Sequence, residues 1–234
     1  MINEVNFETY LLINKKKFIL CVMHKKTFEK IYLEEMLLDS NQEELDLKKL
    51  NLFLEKNIFK VEKILKNFIE NIYIILDSKE FFQVKLSIKK NNNGNYINPE
   101  ALLHPLNDLK NSCQSNFNDK KIIHILIENY IIDNKEYLDL PLNLKCNTFS
   151  LDVNFICLSN DFVYGLESVI KKYHILVNQI LCSSYVENFI DQKHQSIFTT
   201  ASRIKSGWNE NEVRLAPKTL RNKGFFEKFF DFFN

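Results

Sequence analysis

Glycine is scarce in this chain: among its 234 residues only Gly94, Gly165, Gly207 and Gly224 occur, whereas average usage is about 7%. A loop that cradles phosphate needs glycine because its backbone N–H groups must converge on the anion without a Cβ in the way. No two of these glycines share a short loop. The sequence therefore predicts no glycine-rich phosphate loop.

An excess of one charge sign is also lacking. The 31 Lys and Arg residues balance 30 Asp and Glu residues, for a net charge of +1. Nucleic-acid-binding domains usually show a strong basic excess, so we expect no nucleic-acid partner. The five cysteines are odd in number and contain no C-x-x-C pair, which suits neither a zinc site nor a disulfide framework.

Long apolar runs are missing as well. No run approaches the roughly 18 residues of a membrane-spanning helix, and the opening Met-Ile-Asn-Glu lacks the basic and apolar regions of a signal peptide. Apolar residues nevertheless make up 45% of the chain, enough for a folded core. We expect a folded body in a reducing cytoplasm.

Residue types that carry chemistry are present but scattered. The histidines, none of which pairs with another at metal-ligand spacing, are His24, His104, His124, His174 and His194. Asp133 and Asp139 flank a turn, where aspartate commonly bonds its own backbone. Ser183 and Ser184 lack a nucleophile elbow. The sequence thus predicts no catalytic, nucleotide-binding or metal site, no cofactor and no enzymatic activity.

Strand and helix patterns alternate along the chain. The amino-terminal part reads as strands over 9–13, 18–23 and 30–37, a long helix with apolar positions from Leu50 to Phe68, and strands over 72–76 and 81–89. After a loop at 91–95 come a helix that begins at Asn98-Pro99, strands at 121–132 and 148–158, a helix capped by Asn160 or Asp161, and a strand at 175–181. The class is mixed, α+β or α/β, and we take α+β.

The carboxyl terminus carries the sharpest local signal. Stepped at about 100° per residue, its phenylalanines fall in one arc of roughly 160°, and Glu227 and Asp231 lie on the opposite side together with two lysines. The predicted membrane-binding residues are Phe225, Phe226, Phe229, Phe230, Phe232, Phe233, Lys223 and Lys228. Such a helix lies in the plane of a membrane surface, with rings in the acyl boundary and charges toward water. The alternative is a terminal helix docked on the protein's own core.

A resemblance to a known family rests on two stretches. KIIHILIENYIIDNKEYLDLPLNL, from Lys121 to Leu144, and the following FSLDVNFICLSNDFVYGLESVIKKYHILVNQILCSS resemble the inserted subdomain of the actin-like bacterial cell-division protein FtsA. The shared pattern is a strand with His124 and Tyr130, then Asp133, Pro141, a second strand, a helix and a closing strand. The stretch INPEALLHPLNDLKNSC is similar to the helix that opens this subdomain.

The rest of the layout extends the resemblance. The amino-terminal strands and long helix resemble the first half of an actin-like lobe, and FtsA also ends in an amphipathic membrane-targeting helix behind a linker. Actin-like pilus-assembly proteins share much of this arrangement. The resemblance implies a partial actin-like lobe at 1–95, an FtsA-type inserted strand-helix-strand subdomain at 96–190, a short helix and linker at 191–219, and the amphipathic helix at 220–234.

Two departures from FtsA bear on activity. Where FtsA has the phosphate loop Asp-Ile-Gly-Ser-Ser-Lys, this chain has Leu12-Ile13-Asn14-Lys15-Lys16-Lys17, so the metal-side acid and the loop glycine are replaced. After Cys182 only 52 residues remain, too few for the second lobe with its adenosine site and FtsZ-tail site. We therefore expect no ATP turnover, and the resemblance gives no basis for FtsZ-tail binding.

These inferences predict a membrane-tethered, non-catalytic interaction module on the cytoplasmic face of the inner membrane. Its expected partners are cell-division proteins, either FtsA-type protomers or late division proteins, and the membrane surface itself. Two alternatives stay open. One is a pilus-assembly-type actin-like scaffold, and the other is a divergent actin-like ATPase that holds phosphate with Lys15–Lys17.

Overall fold

The computed structural model describes residues 6–38, 45–190 and 196–214. These described residues form two compact units, one from 6–38, 45–80, 159–190 and 196–203 and the other from 81–158 and 204–214. The elements are, in chain order, β1 (Phe7–Ile13), β2 (Lys17–His24), β3 (Lys30–Leu37), α1 (Leu47–Leu65), β4 (Asn71–Leu76), β5 (Phe82–Asn91), α2 (Pro99–Asn116), β6 (Lys120–Ile132), β7 (Lys135–Tyr137), β8 (Thr148–Ser159), α3 (Asn160–Lys171), β9 (Leu176–Cys182), α4 (Ser183–Glu187) and α5 (Ile197–Lys205).

The first unit is built on a five-stranded sheet in the order β3-β2-β1-β4-β9. β1, β2 and β3 form an antiparallel meander, whereas β4 runs parallel to both β1 and β9. The central strands are continuous apolar runs because both faces of the sheet are covered. Phe18 of β2 lies 6.0 Å from Phe53 of α1 between ring centroids. Tyr10, on the other face of β1, lies 6.2 Å from Phe198 of α5.

The second unit has a four-stranded sheet in the order β5-β8-β6-β7. Helix α2 packs against β5 and β6, and its buried Leu102, Leu106 and Leu109 share a core with alternating residues of β8 such as Leu151 and Val153. The predicted start of this helix is confirmed: the Asn98 side chain accepts from Ala101 N at 2.9 Å, and Pro99 stands in the first turn.

The carboxyl end of the described chain belongs to the second sheet. Ile127 N donates to Asn211 O and Val213 N to Ile125 O, both at 2.9 Å, and Leu126 pairs with Glu212. Residues 211–213, which fall in the predicted short helix and linker at 191–219, thus pair with β6. A polar composition is compatible with this docking because the backbone supplies most of the bonds.

The units divide the chain elsewhere than the predicted boundaries at 95/96 and 190/191. β5 lies in the second sheet, whereas α3 and β9 belong to the first unit. The reason is the parallel pairing of β9 with β4, which local pattern does not specify. Ser159, and not Asn160 or Asp161, caps α3, because its Oγ accepts from Phe162 N. The mixed α+β class is confirmed.

Candidate functional site

The first unit has a crevice where its parallel strands end. β1 ends at Ile13 and β4 at Leu76, and both residues line a cavity of about 300 Å³. The segment that begins α1 and the first turn of α3 complete the walls. Ligands of open α/β sheets bind outside the carboxyl ends of the strands. This crevice is therefore the place where a nucleotide or other small ligand is expected.

The turn between β1 and β2 forms one wall of the crevice. Asn14 N donates to Lys17 O at 3.1 Å, and the Asn14 side-chain oxygen accepts from Lys16 N at 2.9 Å and from Lys17 N at 2.8 Å. These three N–H groups are engaged within the turn. A phosphate cradle requires several N–H groups that converge on the anion, so the turn binds its own side chain in the way that a cradle would bind phosphate.

The crevice is lined by more acids than bases. Its charged lining residues are Lys15, Lys79, Asp46, Asp77, Glu80 and Asp161. Asp46 is also the N-cap of α1, since its side chain accepts from Lys48 N and Lys49 N at 2.9 and 3.0 Å. An excess of carboxylates disfavours a bare polyphosphate. Within the described residues, no group of three or more His, Cys, Asp or Glu side chains is arranged to hold a metal ion.

Only the Lys15–Lys17 side of this crevice was predicted as a candidate site from the sequence. The four acidic residues were not predicted as site residues, although three of them have a local signal. Asp46 and Asp161 stand at helix starts, and Asp77 directly follows the buried strand β4. Gly165 of α3 also lies at this edge, where an added Cβ would be 3.3 Å from Leu47 of α1. The small residue permits close packing of α1 against α3.

The predicted membrane-binding residues lie outside the described part of the chain. They are Phe225, Phe226, Phe229, Phe230, Phe232, Phe233, Lys223 and Lys228. Among the described helices, none is long and apolar enough to cross a bilayer.

Three other residues that were considered in the sequence, His124, Ser183 and Asp133, make hydrogen bonds within the fold. His124 is buried and its Nδ1 lies 2.7 Å from Glu212 Oε1, itself almost fully buried. Ser183 Oγ donates to Glu187 at 2.8 Å. Asp133, with φ of 45°, accepts from two backbone N–H groups where β8 begins. The Asp133 side chain therefore bonds to the start of β8, whereas the sequence predicted that it would bond the backbone of its own turn.

Comparisons with known proteins add solved structures only. No protein-family model and no curated protein matches the sequence. The cytoplasmic domain of EpsL, an inner membrane component of the type II secretion system of Vibrio cholerae, is 10% identical, with a TM-score of 0.41 over 80% of this chain and 61% of that one. The PilM–PilN type IV pilus biogenesis complex is 8% identical, with a TM-score of 0.46 over 76% of this chain and 48% of that one.

A third structure is a Bacteroides thetaiotaomicron protein with an actin-like ATPase fold and unknown function. It is 14% identical, with a TM-score of 0.34 over 81% of this chain and 58% of that one. The chain thus spans 48 to 61% of the length of these three structures. Of the three structures, the Bacteroides protein is the one described as having an actin-like ATPase fold, and none of the three is FtsA.

Proposed function

We propose that this protein is a non-catalytic scaffold of actin-like fold that is held at the cytoplasmic face of the inner membrane and works by binding other proteins. Its membrane contact is the phenylalanine-rich helix at 220–234. Its finer assignment is an FtsA-like module of the division machinery, on the sequence resemblance given above. A scaffold of a pilus or secretion system is the alternative, and it matches the systems to which two structural neighbours belong.

The observation that carries the non-catalytic part is the β1–β2 turn. The N–H groups of Asn14, Lys16 and Lys17 are engaged by the turn itself, and the adjoining crevice is rich in carboxylates. Phosphoryl transfer depends almost entirely on positioning and electrostatic stabilisation of the phosphates. Because these three N–H groups are bonded within the turn, they neither position a phosphate nor stabilise its charge.

Calorimetry with ATP and magnesium tests this part. We expect no heat of binding from the full chain, because nothing in the turn replaces the phosphate's hydration. The divergent ATPase stays open as an alternative because Lys15 lines the crevice. A saturable heat that disappears in Lys15→Ala and persists in Lys25→Ala, an exposed lysine just after the far end of β2, would show nucleotide binding in the crevice. Release of phosphate from ATP in the same samples would then establish the ATPase alternative.

Vesicle flotation tests the membrane part. The full chain should float with liposomes, and a chain ending at Thr219 should stay at the bottom of the gradient. Full-length Phe229→Ser and Phe230→Ser together should reproduce the loss, whereas Glu227→Gln and Asp231→Asn on the polar side should not. Equal flotation of the full and shortened chains would remove the anchor from the proposal.

Direct binding separates the two assemblies. Purified FtsA and purified pilus-assembly proteins from the same cells should be tested by co-elution with the full chain. Co-elution with FtsA alone supports the division assignment. Co-elution with the pilus proteins alone replaces it with the alternative.

A further inference from the structure

Helix α1 presents a regular exposed stripe on the side that faces away from the sheet. The α1 outer stripe consists of Lys48, Leu52, Lys56, Phe59 and Lys63, spaced by four, four, three and four residues, so that all five point in one direction. Leu52 is 62% exposed and Phe59 is 74% exposed, and the three lysines are exposed. At 1.5 Å per residue, the stripe is about 22 Å long.

The inward face of α1 explains why this stripe stays outside. The buried face of the helix consists of Leu50, Phe53, Leu54, Asn57, Ile58 and Val61. Phe53 packs on Phe18 of β2, and Asn57 accepts from the Tyr32 hydroxyl of β3 at 2.8 Å. The rotation of α1 about its axis is therefore set by contacts with the sheet. Leu52 and Phe59 cannot turn inward without breaking these contacts.

Charge is concentrated on the same helix. Residues 47–66 contain six lysines and two glutamates, a net charge of +4, against +1 for the whole chain. Of the two acids, Glu62 is half-buried and accepts a hydrogen bond from Ile69 N at 3.1 Å. Glu55 is exposed and lies beside the stripe. Exposed Lys60 and Lys66 flank the stripe, and Phe68, 75% exposed, follows the helix.

From this arrangement we infer that the α1 outer stripe is a second membrane contact, specific for a bilayer that contains anionic lipid. Lysines would pair with lipid phosphates and carboxylates while Leu52 and Phe59 enter the headgroup boundary between them. The inference rests on the proposed membrane location of the protein. It does not rest on the helix at 220–234.

The form of the surface favours a bilayer over a protein partner. The two exposed apolar side chains of the stripe are separated by Lys56 on a convex helix surface, and they form no continuous patch. A protein interface concentrates its affinity in packed central anchors that fill pockets. A fluid bilayer needs no preformed pocket, and it accepts single protruding side chains with lysine stems alongside. Because α1 is already folded on its sheet, binding requires no ordering of the helix.

Binding of the full chain to two kinds of vesicle tests the inference. Neutral phosphatidylcholine vesicles report mainly the hydrophobic helix at 220–234, and vesicles with added phosphatidylglycerol report any further electrostatic contact. We expect the full chain to bind the anionic vesicles more tightly than the neutral ones. Lys56→Glu with Lys63→Glu should lower the affinity for the anionic vesicles by at least 25-fold, because each basic residue near an anionic surface changes partitioning by roughly fivefold. Binding to neutral vesicles should change little.

A matched control changes charge equally elsewhere. Lys89→Glu with Lys135→Glu reverses two exposed lysines of the second unit and should leave most of the anionic preference intact. Loss of that preference to the same extent in both double variants, or in neither, would overturn the inference. A shift of binding from vesicles to soluble polyglutamate would overturn it in favour of an acidic protein partner.

Insertion of the stripe needs a second readout. Phe59→Cys can be labelled selectively with an environment-sensitive fluorophore because the five native cysteines are all buried. Its emission should rise and shift to shorter wavelength with anionic vesicles, and the same label at Leu138→Cys should not respond. If the chain ending at Thr219 no longer binds neutral vesicles but its own Phe59 label still responds to anionic vesicles, the two membrane contacts are separate. If the Phe59 label stays silent, the stripe fails even where the proposed tail anchor holds.

Discussion

Asp133 connects two parts of the second sheet through its side chain. The Asp133 carboxylate accepts hydrogen bonds from Asn147 N at 3.1 Å and from Thr148 N at 2.9 Å. The Asp133 backbone is in the left-handed conformation, with φ of 45°. The bonds from the Thr148 and Asn147 backbone lower the pKa of Asp133. Because the folded pKa is depressed, Asp133 stabilises the fold above its unfolded pKa of about 3.9, and this contribution is lost as the pH falls through the folded value.

Asp133→Asn should therefore be less stable than the native chain near neutral pH, with a difference that shrinks toward acid pH. Asparagine tolerates the left-handed conformation, so that the change affects the charge and not the turn. Urea unfolding at several pH values measures the difference, with Glu136→Gln on β7 as a charge control. A gap between native and variant that stays constant with pH would contradict this account of Asp133.

Burial also determines the chemistry of the cysteine thiols. Burial raises the pKa of Cys21 to about 11 and that of Cys157 to about 12. Since the thiolate is the reactive species, these thiols behave as small apolar groups of the two cores. The spacing of the cysteines argued against zinc and disulfide roles, but only burial specifies what they do instead.

At the scale of elements, α1 is held to the meander by one buried amide. Asn57 Nδ2 donates to Phe53 O at 2.8 Å, and its side-chain oxygen accepts from the Tyr32 hydroxyl at 2.8 Å. A buried amide that keeps its partners is tolerated, whereas loss of one partner leaves a polar group desolvated without compensation.

Tyr32→Phe should consequently lower the free energy of unfolding by about 1–2 kcal/mol, because it leaves the Asn57 oxygen without that donor. Urea or thermal unfolding gives the value. Tyr164→Phe removes the hydroxyl of a tyrosine that is 75% exposed and should change stability very little. Equal effects of the two substitutions would mean that the bond to Asn57 does not hold α1 in place.

The same elements show the reach of sequence patterns. The apolar spacing predicted α1, and Asn98-Pro99 predicted the start of α2, because caps and periodicity are local properties. The lysines of α1 were visible only as a polar face. Their arrangement with Leu52 and Phe59 as one exposed stripe depends on which side of the helix packs on the sheet.

At the scale of the whole molecule, the chain passes between the two units more than once. Its last described segment returns to β6, where Glu212 meets His124 in the interior. Removing one partner of a buried, hydrogen-bonded pair loses that bond inside the protein, which costs about 1–3 kcal/mol, whereas replacing both by apolar residues is often tolerated.

Glu212→Ala should therefore destabilise the protein by about 1–3 kcal/mol, and His124→Leu with Glu212→Leu should recover much of that loss. Urea unfolding of the three chains measures both effects. A chain ending at Trp208 should have a lower unfolding midpoint than a chain ending at Arg214. Equal midpoints for the two shortened chains would mean that residues 209–214 add nothing to the second unit.

Local order in this protein was readable from its sequence. Apolar runs and alternation predicted the strands, the three-and-four spacing predicted the helices, and the absence of glycine at Leu12–Lys17 was enough to exclude a glycine-rich phosphate loop there. Each of these depends on residues that are close together along the chain. The physical cause is short-range, since it lies in backbone conformation and in the face that each side chain occupies.

Only the tertiary structure decided which distant segments join. β9 pairs with β4 although the strands of the second sheet lie between them in the sequence. Residues 211–213 pair with β6 although their composition is that of a linker. Backbone hydrogen bonds carry no sequence label, so a strand's partner is selected by the combined packing of both faces of the sheet. The same long-range packing placed acidic residues from three separate segments in the crevice with Lys15 and turned the lysines of α1 outward.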